Sequence, residues 1–367
     1  MRMDSTRSPA VRRRRFWSSV GQGLLLLAIV CGPCWAAVQT GRKTAPTPPS
    51  APSERARQHN QQGIALARQG NRPEAMREFR RAVELRPDYA EAHFNLGIAL
   101  GETGELDQAI DALRTAARLR PASAPIHLGL GVALLRKYNL EDAVAELRHA
   151  LKLDSSAADG HYNLGLALGQ RGDLEGAVGE FREAVRSRPD FAPAHLRLAV
   201  ALRRQSKPEE ALEEFRAAAR LAPGDPEAHY QLGLALRGGG EGKAALEEFE
   251  TAVRLKPDYE QARYNRAVLL RETGERVKAS ADLREFAALS QFRKELAQSK
   301  SLTVAASERL KQHDPDGTLT EARAALELWK DNPVAFYLMG LAWLEKGDAV
   351  QARINLEKAI DLKPDYA

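Results

Sequence analysis

Five of the eight histidines recur at 34-residue intervals, as His93, His127, His161, His195 and His229. A row of imidazoles is the first place to look for metal chemistry. Ligands of one ion must all lie within a few ångströms of it. Residues one repeat apart are separated by at least a helix-packing distance, about 10 Å, so this row predicts packing positions and no metal. Asp314 and Asp316 before Gly317 begin like a calcium loop, but the bidentate acid due six residues after the glycine is Arg323. Thr318 and Glu321 instead read as a capping box for a helix that starts there. Cys31 and Cys34 have the spacing of a redox pair, yet such a pair belongs between a strand and a helix of an α/β domain, and here it lies in an apolar leader. No glycine-rich phosphate loop, metal-ligand cluster or nucleophile with its base is found in the sequence, so neither an enzyme nor a cofactor is expected.

Two further rows could recognise rather than react. One comprises Phe94, Leu128, Tyr162, Leu196, Tyr230, Tyr264 and Tyr337. Tyrosine offers apolar area with a polar tip and loses little rotamer entropy. These rings either face a groove or pack on the neighbouring helix, and the sequence leaves both open. The next residue along gives Gln61, Asn95, Gly129, Asn163, Arg197, Gln231 and Asn265. A side-chain amide donates and accepts, so it can bind any peptide group whatever its sequence; the alternative is that the amide only serves stacking. Arg203, Arg204, Arg237 and Arg271 lie further along the same faces and suit an acidic stretch of a partner, an effect that Glu102, Glu272 and Glu345 weaken.

These rows exist because the chain repeats. Units begin at Ala56, Ala90, Ala124, Ala158, Ala192, Pro226 and Glu260, with a further copy at Pro333. The eighth residue is always small: Gly63, Gly97, Gly131, Gly165, Ala199, Gly233, Ala267 and Gly340. The twentieth is alanine throughout, and a proline closes most units, as at Pro87, Pro121, Pro189, Pro223, Pro257 and Pro364. Within a unit, His93, Leu96, Gly97 and Leu100 make one helical stripe and Ala109, Leu113 and Ala116 a second. Small residues let the two helices approach, and the proline ends the second.

This pattern resembles the tetratricopeptide repeat family. The resemblance implies an all-α solenoid of antiparallel helix pairs whose inner, concave surface holds a protein or peptide partner. Its units would span 56–89, 90–123, 124–157, 158–191, 192–225, 226–259 and 260–293, then a divergent helical pair at 294–332 and a last repeat at 333–366. The seventh unit is expected to fade, since Arg266 replaces leucine, Phe286 replaces alanine and Gln291 stands where proline is due. The divergent pair reads as a helix to Lys311, a long turn from His313 to Gly317 and a second helix with Ala322, Leu326 and Trp329. The amide row is also similar to that of the O-linked N-acetylglucosamine transferases, though without a catalytic domain. The repeat family's concave surface implies groove residues Phe94, Tyr162, Tyr230, Tyr264 and Tyr337, the transferase resemblance adds Asn95, Asn163 and Asn265, and Arg203, Arg237 and Arg271 on the same faces complete the candidate peptide-binding groove. The last repeat carries no polar capping helix, which points to self-association there or to a continuing chain.

Residues 1–36 read as an export signal: residues 12–15 are all arginine, 24–30 are wholly apolar, and Trp35-Ala36-Ala37 offers a cleavage site. The alternative is an uncleaved membrane anchor over 16–38. Either places the repeats outside the cytoplasm, in the periplasm or beyond. Residues 37–55, with Pro46, Pro48, Pro49 and Pro52, read as a semi-rigid linker. The whole net charge of +5 lies in residues 1–36, which hold six arginines and one aspartate. The remaining 48 basic and 48 acidic residues balance, so nothing points to nucleic acid. The expected function is a non-enzymatic interaction scaffold in envelope assembly or secretion. A self-associating structural module, or a targeting region for an enzyme such as a glycosyltransferase, are the alternatives.

Overall fold

The computed structural model describes residues 51–364, all of them in helices, turns and short connections. The leader, its two cysteines and most of the proline-rich linker lie outside the described residues. Among the described residues there are seventeen α-helices and no strand, and no helix is long and apolar enough to cross a membrane. The chain divides into two compact units, Met1–Ala222 and Pro223–Ala367.

The first unit contains α1 (Ala51–Arg68), α2 (Arg72–Leu85), α3 (Ala90–Thr103), α4 (Leu106–Leu119), α5 (Ala124–Arg136), α6 (Leu140–Leu153), α7 (Ala158–Arg171), α8 (Leu174–Ser187), α9 (Ala192–Arg204) and α10 (Pro208–Leu221). These are five hairpins, each a first helix packed on a second. Helix α1 begins at Ala51, so the residues from 51 to 55 that the sequence assigns to the linker are helical. The first helices also touch one another, α1 with α3, α3 with α5 and α5 with α7, and so form a layer of their own. The second unit contains α11 (Pro226–Gly238), α12 (Gly242–Leu255), α13 (Glu260–Glu272), α14 (Arg276–Lys311), α15 (Pro315–Leu328), α16 (Pro333–Glu345) and α17 (Ala349–Leu362).

Each hairpin closes where the eighth residue of the repeat, on the first helix, meets the twenty-fourth, on the second. A Cβ on Gly165 would stand 2.7 Å from Phe181 Cε1, and one on Gly97 2.6 Å from Leu113 Cγ. The inserted side chains Phe79, Leu113, Leu147, Phe181, Phe215 and Phe249 are all buried. Each hairpin then turns through one residue of left-handed backbone: Gly70, Gly104, Tyr138, Gly172, Ser206, Gly240, Gly274, His313 and Gly347. Glycine suits that conformation because it lacks the Cβ that collides there.

Those left-handed residues recur every 34 positions, except that His313 comes five residues late after Gly274. The expected divergent pair is therefore a repeat in register over 299–332, preceded by five inserted residues, 294–298. Its small interior supports this: Ala306, Thr318, Ala322 and Ala325 are fully buried. No break separates it from the unit before. Helix α14 runs unbroken for 36 residues, serving as second helix of one repeat and first helix of the next. Gln291 keeps the N–H that the usual proline lacks, so the helix has no reason to stop. Two expectations are corrected here. The turn is short, since α15 already begins at Pro315, and its cap is Asp314, whose carboxylate accepts from Gly317 N at 2.9 Å. Thr318 lies inside the helix, its hydroxyl donating to Asp314 O at 2.8 Å. Arg266, where leucine was due, reaches the carboxylate of Asp282, which is 3% exposed and also takes an ion pair from Arg263. A charged pair with its hydrogen bonds made replaces an apolar contact.

The closure at the eighth residue is directly testable. Gly165→Leu is expected to destabilise the protein by about 1–3 kcal/mol through overpacking against Phe181. Gly165→Ala is expected to cost less, since Ala199 occupies the same place against Phe215. Urea unfolding of the two variants checks this, and equal losses would show that the approach is not limiting.

Candidate partner-binding face

The histidine row, which extends back one repeat to His59, lies between the two helices of its hairpins. Nδ1 of His59, His127, His161, His195 and His229 sits 2.5–2.7 Å from a carboxylate of the second helix, that of Glu78, Glu146, Glu180, Glu214 and Glu248 respectively. Nε2 of His93, His127, His161, His195 and His229 sits 2.9–3.1 Å from a carbonyl oxygen in the preceding turn, of Pro87, Pro121, Ser155, Pro189 and Pro223. In the seventh repeat Arg263 takes the same two partners, donating from Nε to Pro257 O at 2.7 Å and from Nη1 to Asp282 Oδ1 at 3.3 Å. The row thus ties helix to helix and helix to turn. Among the described residues no cluster of three potential metal ligands occurs.

The aromatic row is mostly interior. Phe94 and Tyr162 are each 5% exposed. Tyr162 is enclosed by Phe181 of α8, at 6.0 Å between centroids, and by Phe191 of the following turn, at 5.1 Å. Tyr230 is held in the same way by Phe249 and Tyr259, at 6.0 and 4.9 Å. Arg188 lies over the ring of Phe191 at 3.8 Å, and Lys256 over that of Tyr259 at 5.2 Å. Tyr264 is different. Because α14 continues where a turn would have closed over the ring, Tyr264 stacks on Phe286 at 5.4 Å and stays 47% exposed. Tyr337 is 37% exposed.

The amide row turns its N–H groups inward. Asn95 donates to Asn60 Oδ1 at 2.9 Å and Asn163 to Asp159 O at 2.8 Å, and both residues are buried. Asn265 donates to Gln261 O at 2.9 Å and accepts from Arg237 Nη1 at 3.0 Å. Gln231 donates to Glu227 Oε1 at 2.6 Å, and the other oxygen of Glu227 accepts from Tyr259 OH. Burial and that carboxylate push the Tyr259 hydroxyl far above the ordinary phenol range. The gap at Gly129 has a steric cause: a Cβ there would meet Ile98 Cδ1 at 3.1 Å and Phe94 Cε2 at 3.2 Å.

What the first helices leave partly exposed is a row the sequence reading passed over. The ninth residue of the repeat is Ile64, Ile98, Val132, Leu166 and Val200 in the first unit and Leu234, Val268, Ser307 and Leu341 in the second, each partly buried. The signal was there, since all but Ser307 are branched aliphatics at the common place in the repeat. On α9 this row is flanked by Arg197 and Arg204, both exposed, and by Arg203, whose guanidinium lies 5.4 Å over the ring of Phe215. Asp159 on α7 is paired with Arg188, and Glu102 on α3 with Arg72. In the second unit Arg237 pairs with Glu272 at 3.7 Å, and Arg271 is exposed.

The tetratricopeptide repeat model matches residues 60–124, 96–158, 128–190, 162–226, 230–293 and 303–367, more than half of the chain, and the chain belongs to this family. Among solved structures, PilF of Pseudomonas aeruginosa is 20% identical with a TM-score of 0.53, over 58% of this chain and 97% of its own. YrrB, described as a TPR protein with an unusual peptide-binding site, is 24% identical with a TM-score of 0.42, over 50% and 95%. MamA is 23% identical with a TM-score of 0.42, over 46% and 93%. At these identities the likeness concerns the fold alone. No curated protein matches the chain.

The packing of the rings separates two substitutions. Tyr162→Ala removes an interior ring and is expected to cost about 3–5 kcal/mol, so it cannot serve as a probe of the surface. Tyr264→Ala is expected to cost clearly less. Chemical unfolding of both variants checks this, and losses of the same size would contradict the difference in enclosure.

Proposed function

We propose that the chain is a non-enzymatic interaction scaffold, and that the first-helix face of its first unit takes an extended segment of a partner protein. The partly exposed aliphatic row Ile98, Val132, Leu166 and Val200 carries this reading. First helices in contact stand about 8–10 Å apart, so the row offers one apolar foothold per repeat at that spacing. A β-strand returns a side chain to the same face every two residues, about 7 Å. A polyproline-II segment returns one every three residues, about 9 Å, which matches the row. The segment bound is therefore a left-handed extended one with an apolar residue at every third position. Arg197, Arg203 and Arg204 at the α9 end suit a carboxylate next to such a segment. The arginine run and apolar stretch of the leader support a place of work outside the cytoplasm, in envelope assembly or secretion.

Two labelled peptides of one composition decide this, one with leucine at every third position and one with leucine at every second. The full chain is expected to bind the first at least about ten-fold more tightly, a difference of about 1.4 kcal/mol. Val132→Lys with Val200→Lys is expected to abolish that preference; because both valines are partly buried the variant is also expected to melt lower, so its affinities are compared well below its melting onset. Equal affinities, or a preference that survives both lysines, would remove the reading.

A further inference from the structure

We propose that His161 with Glu180 and His195 with Glu214 are acid-favoured latches. They hold the first helices α7 and α9 on their second helices α8 and α10 while the imidazoles are charged, and slacken when the proton is lost. The argument is one of donors and acceptors. His161 Nδ1 lies 2.7 Å from Glu180 Oε2 and its Nε2 3.1 Å from Ser155 O. His195 Nδ1 lies 2.5 Å from Glu214 Oε2 and its Nε2 3.0 Å from Pro189 O. A carboxylate and a carbonyl can only accept, and a neutral imidazole carries a single N–H. One of the two contacts would then set a lone pair against an oxygen. Only the doubly protonated ring satisfies both. The chain holds its own control in Arg263, which cannot lose its charge and makes the same pair of contacts to Asp282 and Pro257 O.

The surroundings agree. For His161, the hydrogen bond to Glu180 raises the pKa against the opposing effect of burial, and Glu183, also on α8, adds to the rise. For His195, Glu214 raises it, burial opposes, and Arg220 on α10 opposes weakly. The turn before α7 presents the Ser155 carbonyl; the turn before α9 presents the Pro189 carbonyl, with Arg188 directed to Asp159 and the Phe191 ring. Since the folded-state values lie above the unfolded value of about 6.5, the contribution is fully present below pH 6.5. It is lost as the pH rises through the raised folded-state values. The latched helices carry Leu166 and Val200 on their other side, so the device sits directly behind the proposed binding face without depending on it.

The test is an NMR titration of the imidazoles in the full chain, together with melting at pH 6 and pH 8.5. The His161 and His195 resonances, assigned by single substitution, are expected to titrate above 6.5, and melting is expected to fall from the lower to the higher pH. His161→Arg with His195→Arg is expected to shrink that fall, because arginine keeps its charge, and Glu180→Gln with Glu214→Gln to shrink it by removing the shift. Imidazoles that titrate at or below 6.5, or a fall undiminished in the arginine variant, would overturn the proposal. The wild-type titration decides alone should a variant fail to fold.

Discussion

Everything in these hairpins depends on how closely the first helix lets the second approach. At Gly97, Gly131, Gly165 and Gly233 the first helix has no side chain, and a leucine or phenylalanine from the second helix enters the space. That contact buries the largest interior side chains and fixes the crossing of the two helices. It still leaves each hairpin with an apolar face that only another hairpin can cover. Stability is thus held by nearest neighbours, and a disturbance in one hairpin is felt chiefly by the next. This is why the insertion at 294–298 is tolerated: the register resumes at 299 with alanines in the same interior places.

The polar contacts are organised around the same closure. A glutamate or aspartate on the second helix receives a histidine or arginine from the first, and that side chain also reaches a carbonyl of the preceding turn. A carbonyl left at the end of a helix without a partner carries a desolvation penalty, so the side chain is as much a cap for the turn as a link between helices. Arginine and histidine interchange between repeats because both present two nitrogens to two fixed oxygens. Asp282 shows how far the scheme extends. There, two arginines surround one buried carboxylate, and the position where leucine was expected becomes part of an ion-pair network.

The period, the helix pairs and their turns were legible in the sequence because steric closure demands the same small residues in every copy. The long helix α14 was half legible. The missing proline at Gln291 was visible, but without a stop signal the physical default is continuation, and the turn assumed near residue 293 has no residue to make it. The capping box was misread because Thr318 and Asp314 both carry a capping oxygen, and only the burial of Thr318 against Ala306 shows which one lies at the helix start. The aromatic and amide rows could not be resolved from spacing. Whether a ring at the fifth position is interior depends on the turn that follows its own hairpin, on Phe191 for Tyr162 and on Tyr259 for Tyr230, and no property of the tyrosine itself reveals it.

A repeated residue is therefore poor evidence of function by itself, since stacking alone generates rows. The ninth-position aliphatics illustrate this. Ile98 leans on Gly129 of the next first helix, and that packing is reason enough for a branched apolar residue at this place. The same side chain stays partly uncovered, so the demand for stacking produces a regular apolar foothold whether or not a partner uses it. Such a row can supply affinity and register but no discrimination, because every repeat offers the same contact. Discrimination has to come from positions that stacking leaves free to vary. The thirteenth residue is of that kind, exposed in each copy as Glu102 on α3, Arg136 on α5, Gln170 on α7 and Arg204 on α9. The charge along the first unit's face shifts from a neutralised acid on α3 to unneutralised arginines on α9, and a bound segment would be given a direction by that gradient.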